Sequence, residues 1–218
     1  MKTAAAIITE SRATEQPRFL GIKTPRVSMI GYCDRRHVAK VLGIITSDIS
    51  DFYCRSGYML QDAVYNELKK VYPGTVQEVT VATTVEGGET HPDLFIPEIK
   101  HGVQVKSDAE NASFGKPKKA HQEQALLEWH FWRLSGQCVT EEGLPIAMVP
   151  NTYELLYVGR ESFGLNIISV PIKYDPVKAR ALQDRYENIM DYIEMEVLTE
   201  PLVQHEWQCG YCSMRCFE

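Results

Sequence analysis

Three cysteines stand within the last ten residues, as Cys209-Gly-Tyr-Cys212-Ser-Met-Arg-Cys216, and a fourth stands far upstream in Asp51-Phe-Tyr-Cys54-Arg55. A C-x2-C turn aims two thiolates at one centre, so this density at a chain end suits a metal or iron–sulfur site. His205 lies four residues before Cys209, so a zinc knuckle of three cysteines and one histidine is an alternative that needs no Cys54. Cys33 could stand in for Cys54 in a four-thiolate set. Otherwise Cys33 and Cys138 read as small buried hydrophobes.

A second group is built for oxygen chemistry. Asp93 follows His91-Pro92, and Gln104-Val-Lys106 lies just beyond Pro97 to Gly102. If Pro97 to Gly102 forms the turn of a hairpin, Ile96 opposes Val103 and Asp93 opposes Lys106. Side chains alternate along a strand, so Gln104 and Lys106 share a face, and cross-strand pairing brings Asp93 to it. A hard divalent cation takes oxygen ligands. Asp93 offers a carboxylate, Gln104 an amide oxygen and Val105 a main-chain carbonyl. Lys106 would orient an attacking water or stabilise negative charge on a reacting phosphate. The competing pair Glu98-x-Lys100 falls within the turn and reads as a decoy.

These residues need elements to hold them. Residues 1–25 are polar and irregular, with Pro17 and Pro25 as breakers, and read as an arm. Arg35 to Ile45 suits a short helix or strand. Ser47-Asp-Ile-Ser50 suits an N-cap. From Ser50 to Val71 the residues Phe52, Tyr53, Met59, Leu60, Ala63, Val64, Leu68 and Val71 recur at helical spacing, with Gly57 as a possible interruption and Pro73-Gly74 as the stop. Glu78 to Val85 alternates like a half-buried strand. His91 to Ile96 and Gly102 to Lys106 follow as strands. Ala120 to Leu134 reads as a helix with Ala125, Leu126, Trp129, Phe131 and Leu134 on its apolar side, and Trp129, Phe131 and Trp132 belong to the core. Pro145 to Val149, Tyr153 to Val158 and Leu165 to Val170 are further strands. Asp175-Pro176 opens a helix striped by Leu182, Tyr186, Ile189, Met190 and Ile193. The order predicts an α/β or α+β domain with a central mixed sheet flanked by helices.

Composition sets bounds. At 218 residues with 44% hydrophobic content the chain can bury one sizeable core. No run of eighteen apolar residues exists, and the N-terminus is charged too early for a signal peptide. Six cysteines are too few for a disulfide scaffold, and their clustering favours a reducing, cytoplasmic setting. A net charge of −6 argues against a protein that merely coats nucleic acid, while allowing local carboxylates for a metal and a small basic groove. Lys116, Lys118 and Lys119 form the densest basic cluster. His91, His101, His121 and His130 show no ligand spacing.

Pro92-Asp93 with Gln104-x-Lys106 resembles the Pro-Asp…(Asp/Glu)-x-Lys signature of restriction-endonuclease-like phosphodiesterases. Thr46-Ser-Asp-Ile-Ser-Asp-Phe-Tyr-Cys54-Arg55 looks like the serine–spacer–cysteine–arginine opening of RecB-like nucleases. The helix carrying Gln122 and Gln124 resembles the glutamine-bearing helix that follows their catalytic lysine. Cys209, Cys212 and Cys216 resemble the iron–sulfur members, the AddB type and the CRISPR-associated RecB-like exonucleases. The resemblance covers about residues 46–216, leaving 1–45 as the lead-in and 46–218 as a nuclease domain with its cysteine cluster.

The resemblance implies a restriction-endonuclease-like core and a structural 4Fe-4S cluster on Cys54, Cys209, Cys212 and Cys216, tying an early helix to the C-terminus. It implies Mg or Mn held by Asp93, Gln104 and Val105. Lys106, Gln61 and Gln124 would complete the catalytic set, with Asp62 and Glu67 as acidic neighbours of Gln61. The implied activity is exonuclease action on DNA ends or single strands, with DNA and the proteins of a DNA-processing complex as partners. Three positions depart from the pattern. Gln104 replaces an acid, so a negative charge is missing. Gln61 stands where a histidine or glutamate is usual. Glu128 stands four residues after Gln124, where a tyrosine is usual. Two other readings remain: a nuclease-like subunit that binds DNA or protein without cleaving, and a zinc-stabilised structural protein.

Overall fold

A computed structural model describes residues 24–45, 51–108, 117–159 and 167–200, without the side chains of 51–56 and 108. Cys209, Cys212, Cys216, His205 and Lys116 lie outside the described residues, as does the side chain of Cys54. Among the described residues no helix is long and apolar enough to cross a membrane.

Helix α1 spans Asp34–Val41, with Asp34 in its first turn where the helix dipole favours a carboxylate. Helix α2 spans Asp51–Val71 and runs through Gly57 without the expected interruption. The chain then forms short strands β1 (Val76–Gln77), β2 (Val81–Ala82), β3 (Glu89–Thr90) and β4 (Leu94–Ile96). Of the strand expected over 78–85 only β2 forms: Glu78 takes a left-handed conformation, φ 49, that ends β1, and the turn closed between Thr83 and Gly88 ends β2. β2 instead pairs with β3 in a separate two-stranded ladder. Strand β5 (His101–Asp108) leads into α3 (Lys119–Ser135), and α3 carries the chain across to β8 (Thr152–Gly159), parallel to β5. Parallel neighbours require such a crossover. Between them β6 (Cys138–Val139) and β7 (Pro145–Ile146) make a small hairpin. β7 stops at Ile146 because Trp132 and Trp129 donate their indole N–H groups to the carbonyls of Met148 and Pro150, which fixes that stretch as an irregular strap. Strand β9 covers Ile167–Ile172 among the described residues and runs two residues past the expected end at Val170, and Asp175 caps α4 (Pro176–Glu194) by accepting from Val177 and Lys178 N–H.

The main sheet has five strands in the order β1-β4-β5-β8-β9, antiparallel except for the β5–β8 pair. The fold is therefore α/β with a central mixed sheet. One face, through Phe95, Tyr153, Leu155 and Tyr157, packs on α3 and α4 with Trp129, Phe131, Trp132, Tyr186 and Ile189. The other, through Leu94, Ile96, Val103, Val105 and Val158, packs on Leu60, Val64 and Leu68 of α2. Each fully buried apolar side chain of this kind contributes about 1.5–3 kcal/mol. Met59, Val71 and Leu134, expected on apolar stripes, are exposed instead. Val27, Ile30 and Val38, from the segment read as a lead-in, lie in the larger core. Cys138 is buried there, as expected, and Cys33 is half-buried at the N-cap of α1.

Candidate active site

The alternation along β4 and β5 decides which side chains meet. Val103 and Val105 point towards α2, so Gln104 and Lys106 point towards α3. On β4, Leu94 points towards α2 and Phe95 towards α3. The observed register pairs Leu94 with Val103 and Ile96 with His101, because the turn is only Pro97 to Lys100, a short 3-10 turn closed by Lys100 at φ 50. Continued past the last pair, that register sets Asp93 beside Gln104, not beside Lys106 as expected. The slip is two residues, and two residues preserve the face. Asp93, Gln104 and Lys106 therefore still converge.

Asp93 is held from several directions. Its carbonyl accepts from Glu78 N–H at 2.8 Å, beyond the last β1–β4 pair. Its carboxylate Oδ2 accepts from Val105 N–H at 2.7 Å. Gln104 donates its amide to the same carboxylate. Burial pushes the Asp93 carboxyl up to about 6, while Lys106 and these two hydrogen bonds pull it down and Glu78 pushes it up. The N–H and C=O of a strand residue point to the same edge, so the Val105 carbonyl faces the edge where Asp93 sits. Gln104 is 3% exposed, and its Oε1 is buried with no hydrogen-bond partner among the described residues. A buried amide oxygen left unpaired is costly and calls for a donor or a cation.

Helix α3 supplies the wall opposite. Gln124 donates Nε2 to Oε1 of Glu128 at 2.8 Å, and Thr90 reaches the same oxygen at 3.5 Å. Tyr153 donates its hydroxyl to Oε2 at 3.0 Å. Glu128 is 1% exposed. Burial raises its carboxyl to about 7; Lys106 and the two bonds from Gln124 and Tyr153 oppose the rise, and the charge of Asp93 adds to it. His121 sits near Lys106, in contact with Tyr157 OH at 3.1 Å, and burial drives it down to about 3, with Lys106 and Lys118 in support. It is a neutral imidazole at physiological pH.

The other expected residues divide. Gln124 is at the site. Gln61 is buried on α2 and approaches from the far side, its Nε2 at 3.5 Å from the main-chain carbonyl of Asp93 and not the carboxylate. Gln122 turns back to the Pro117 carbonyl at 3.0 Å. Glu67 faces solvent beside Lys70 at 2.5 Å and Asp62 accepts from Gln77, so neither acid joins Asp93. Glu98 is in the turn, as expected, and accepts from Gly74 N–H at 2.6 Å. The residue the sequence reading left unassigned is Glu128. Its signal was available: one acid inside the apolar run Ala125-Leu-Leu-Glu-Trp-His-Phe-Trp132.

Among the described residues no three His, Cys, Asp or Glu side chains gather as a metal site. The convergent donors are oxygens of mixed type: the Asp93 carboxylate, the unpaired Gln104 Oε1 and the Val105 carbonyl. That set fits a hard cation such as Mg or Mn and not a soft one.

No family model and no curated protein matches the sequence. Solved structures do match the fold. A phage-related exonuclease from Haemophilus somnus 129PT superposes with a TM-score of 0.57 at 12% identity, covering 79% of this chain and 94% of its own. An alkaline exonuclease from Laribacter hongkongensis gives 0.56 at 12% identity, covering 80% and 89%, and has also been solved in complex with dAMP. The protein SSO0001 gives 0.53 at 13% identity, over 96% of this chain and 91% of its own. At such identities the shared property is the fold.

Proposed function

We propose that the protein is a divalent-metal-dependent deoxyribonuclease acting on DNA ends or single strands. The carrying observation is the hairpin face on which Asp93, the unpaired Oε1 of Gln104 and Lys106 converge. The fold shared with two exonucleases supports the reading, and so does the dAMP complex of one of them, since dAMP is a unit of a DNA chain.

In this reading Asp93, Gln104 and Val105 hold Mg or Mn. When bound there, such a cation would supply Lewis-acid polarisation of a phosphoryl oxygen and a lowered pKa for water. Asp93 is kept in place by Val105 N–H and by Gln104, so its carboxylate is oriented before substrate arrives. Lys106 holds positive charge beside the carboxylates, where charge accumulates as water adds to phosphorus and one P–O ester bond breaks. Gln124 orients Glu128 at the opposite wall.

The test is degradation of end-labelled single-stranded DNA by the purified full chain with Mn, compared with Asp93→Ala. Degradation by the wild type alone is expected. Equal degradation by both overturns the catalytic assignment. DNA binding without cleavage favours the second reading, a nuclease-like binding subunit, which the missing charge at Gln104 supports.

The cluster is a proposal of the sequence alone. Cys54, Cys209, Cys212 and Cys216 would hold 4Fe-4S as a structural tie. A brown protein with stoichiometric iron is expected, and a colourless one holding zinc overturns it.

A further inference from the structure

We propose that Glu128 supplies the second carboxylate of the cation site, delivered from α3 in place of the acid missing at Gln104. This rests on the metal reading above and deepens it. Asp93, Gln104 and Lys106 all face α3, and Glu128 is on α3. Tyr153, which donates to Glu128, pairs with Gly102, two residues before Gln104 on the same face of β5, and the charges of Lys106 and Asp93 both bear on Glu128.

The partners of Glu128 mark it as more than a core residue. Gln124, Thr90 and Tyr153 are neutral donors, and no cationic group is bonded to it among the described residues. A carboxylate this deep without a bonded cation is costly. A helix position inside an apolar run could carry leucine at no such cost. What the three donors do provide is orientation. Gln124 and Tyr153 each take one oxygen and fix the plane of the carboxyl group, as outer ligands do around a metal. Oε2 takes its bond from Tyr153, and a carboxylate oxygen has a second acceptor direction.

The unpaired Gln104 Oε1 is the independent observation. It is buried on the same face and has nothing to accept from among the described residues. A cation between the hairpin and α3 would engage both at once: the amide oxygen without a donor and the carboxylate bonded only to neutral donors. Two carboxylates and one amide then restore the charge that a hairpin with acids at both positions 93 and 104 would have.

Mn affinity measured by calorimetry and by electron paramagnetic resonance, without DNA, tests this on the full chain. Glu128→Gln should weaken Mn binding on the order of tenfold or more. Adding Gln104→Glu to that variant should restore most of it, because the charge returns on the hairpin. If Asp93→Ala loses Mn and Glu128→Gln binds it as wild type does, the assignment of Glu128 is overturned and the nuclease reading stands. If Asp93→Ala binds Mn unchanged, the metal reading itself fails. Should Glu128→Gln not fold, Tyr153→Phe decides: it removes only the hydroxyl that orients Glu128. A several-fold loss of Mn affinity supports the role, and unchanged affinity overturns it.

Discussion

Tyr153 occupies the space that a side chain on Gly102 would need: a Cβ on Gly102 would sit 2.5 Å from Cδ2 and 2.6 Å from Cε2 of the ring. The two are register partners across the parallel β5–β8 pair. Trp129 stacks on the same ring, with centroids 6.0 Å apart at 23°. The ring is thus fixed between strand and helix, and its hydroxyl reaches Glu128. Gly102→Ala should destabilise the fold by about 1–3 kcal/mol through overpacking. Urea unfolding checks this, as a lower midpoint at unchanged slope. An unchanged midpoint would show that the ring shifts freely.

Burial of Glu128 also predicts how stability depends on pH. In the unfolded chain its carboxyl releases its proton near the ordinary 4.5, and in the folded protein it holds the proton up to about 7. Between those values the native state binds the extra proton, so stability falls as pH rises through the window. Asp93, raised to about 6, adds a fall in the same direction. Glu128→Gln titrates at neither value. Whatever its absolute stability, the variant should gain on the wild type by about 2–3 kcal/mol between pH 4.5 and pH 8 in the absence of divalent cations. Parallel stability curves for the two proteins would mean that folding does not raise the Glu128 carboxyl.

The hairpin was legible because its chemistry depends on parity and not on register. Placing the turn at Pro97 to Gly102 misjudged it by two residues, yet Asp93, Gln104 and Lys106 kept a common face. Strand parity survives an even slip and would not survive an odd one. The strand over 78–85 is shortened to β2 for a reason no alternation reveals: Glu78 adopts a left-handed conformation, and a glutamate carries no local signal for that. Helix α3 was legible as an element, and its Gln124 is buried on the side that carries Glu128. Glu128 was not legible, because a helical glutamate ordinarily reads as a solvated position. Its burial follows from the sheet lying across α3, which is a tertiary fact. Glu67 shows the converse: an acid near the expected ligand that the helix rotation turns to solvent.

Glu98 separates the turn from the site. It accepts from Gly74 N–H and closes the β4–β5 turn against the end of α2. Glu98→Ala should cost about 0.5–1.5 kcal/mol in chemical unfolding and leave DNA cleavage and Mn affinity unchanged. Loss of cleavage in a folded Glu98→Ala protein would put the catalytic acid in the turn and remove Asp93 from its role.

Lys106 stands where two raised carboxyls meet, and it lowers both. Lys106→Met keeps the length of the side chain and deletes the charge. Two effects should follow. Cleavage should fall by about two orders of magnitude or more, since the charge that offsets the developing phosphorane is gone. The apparent pKa for Mn binding should rise at the same time, because Asp93 and Glu128 lose the cation that holds them down, and protons then compete with the metal to higher pH. At pH above that midpoint the variant should bind Mn at least as tightly as the wild type, a repulsive charge having been removed. The combination separates roles: a purely structural Lys106 would lose cleavage and Mn binding together, with a fall in thermal stability. Mn titrations at several pH values beside single-turnover cleavage make the distinction, and a variant whose Mn-binding midpoint moves down in pH would exclude Lys106 from contact with either carboxylate.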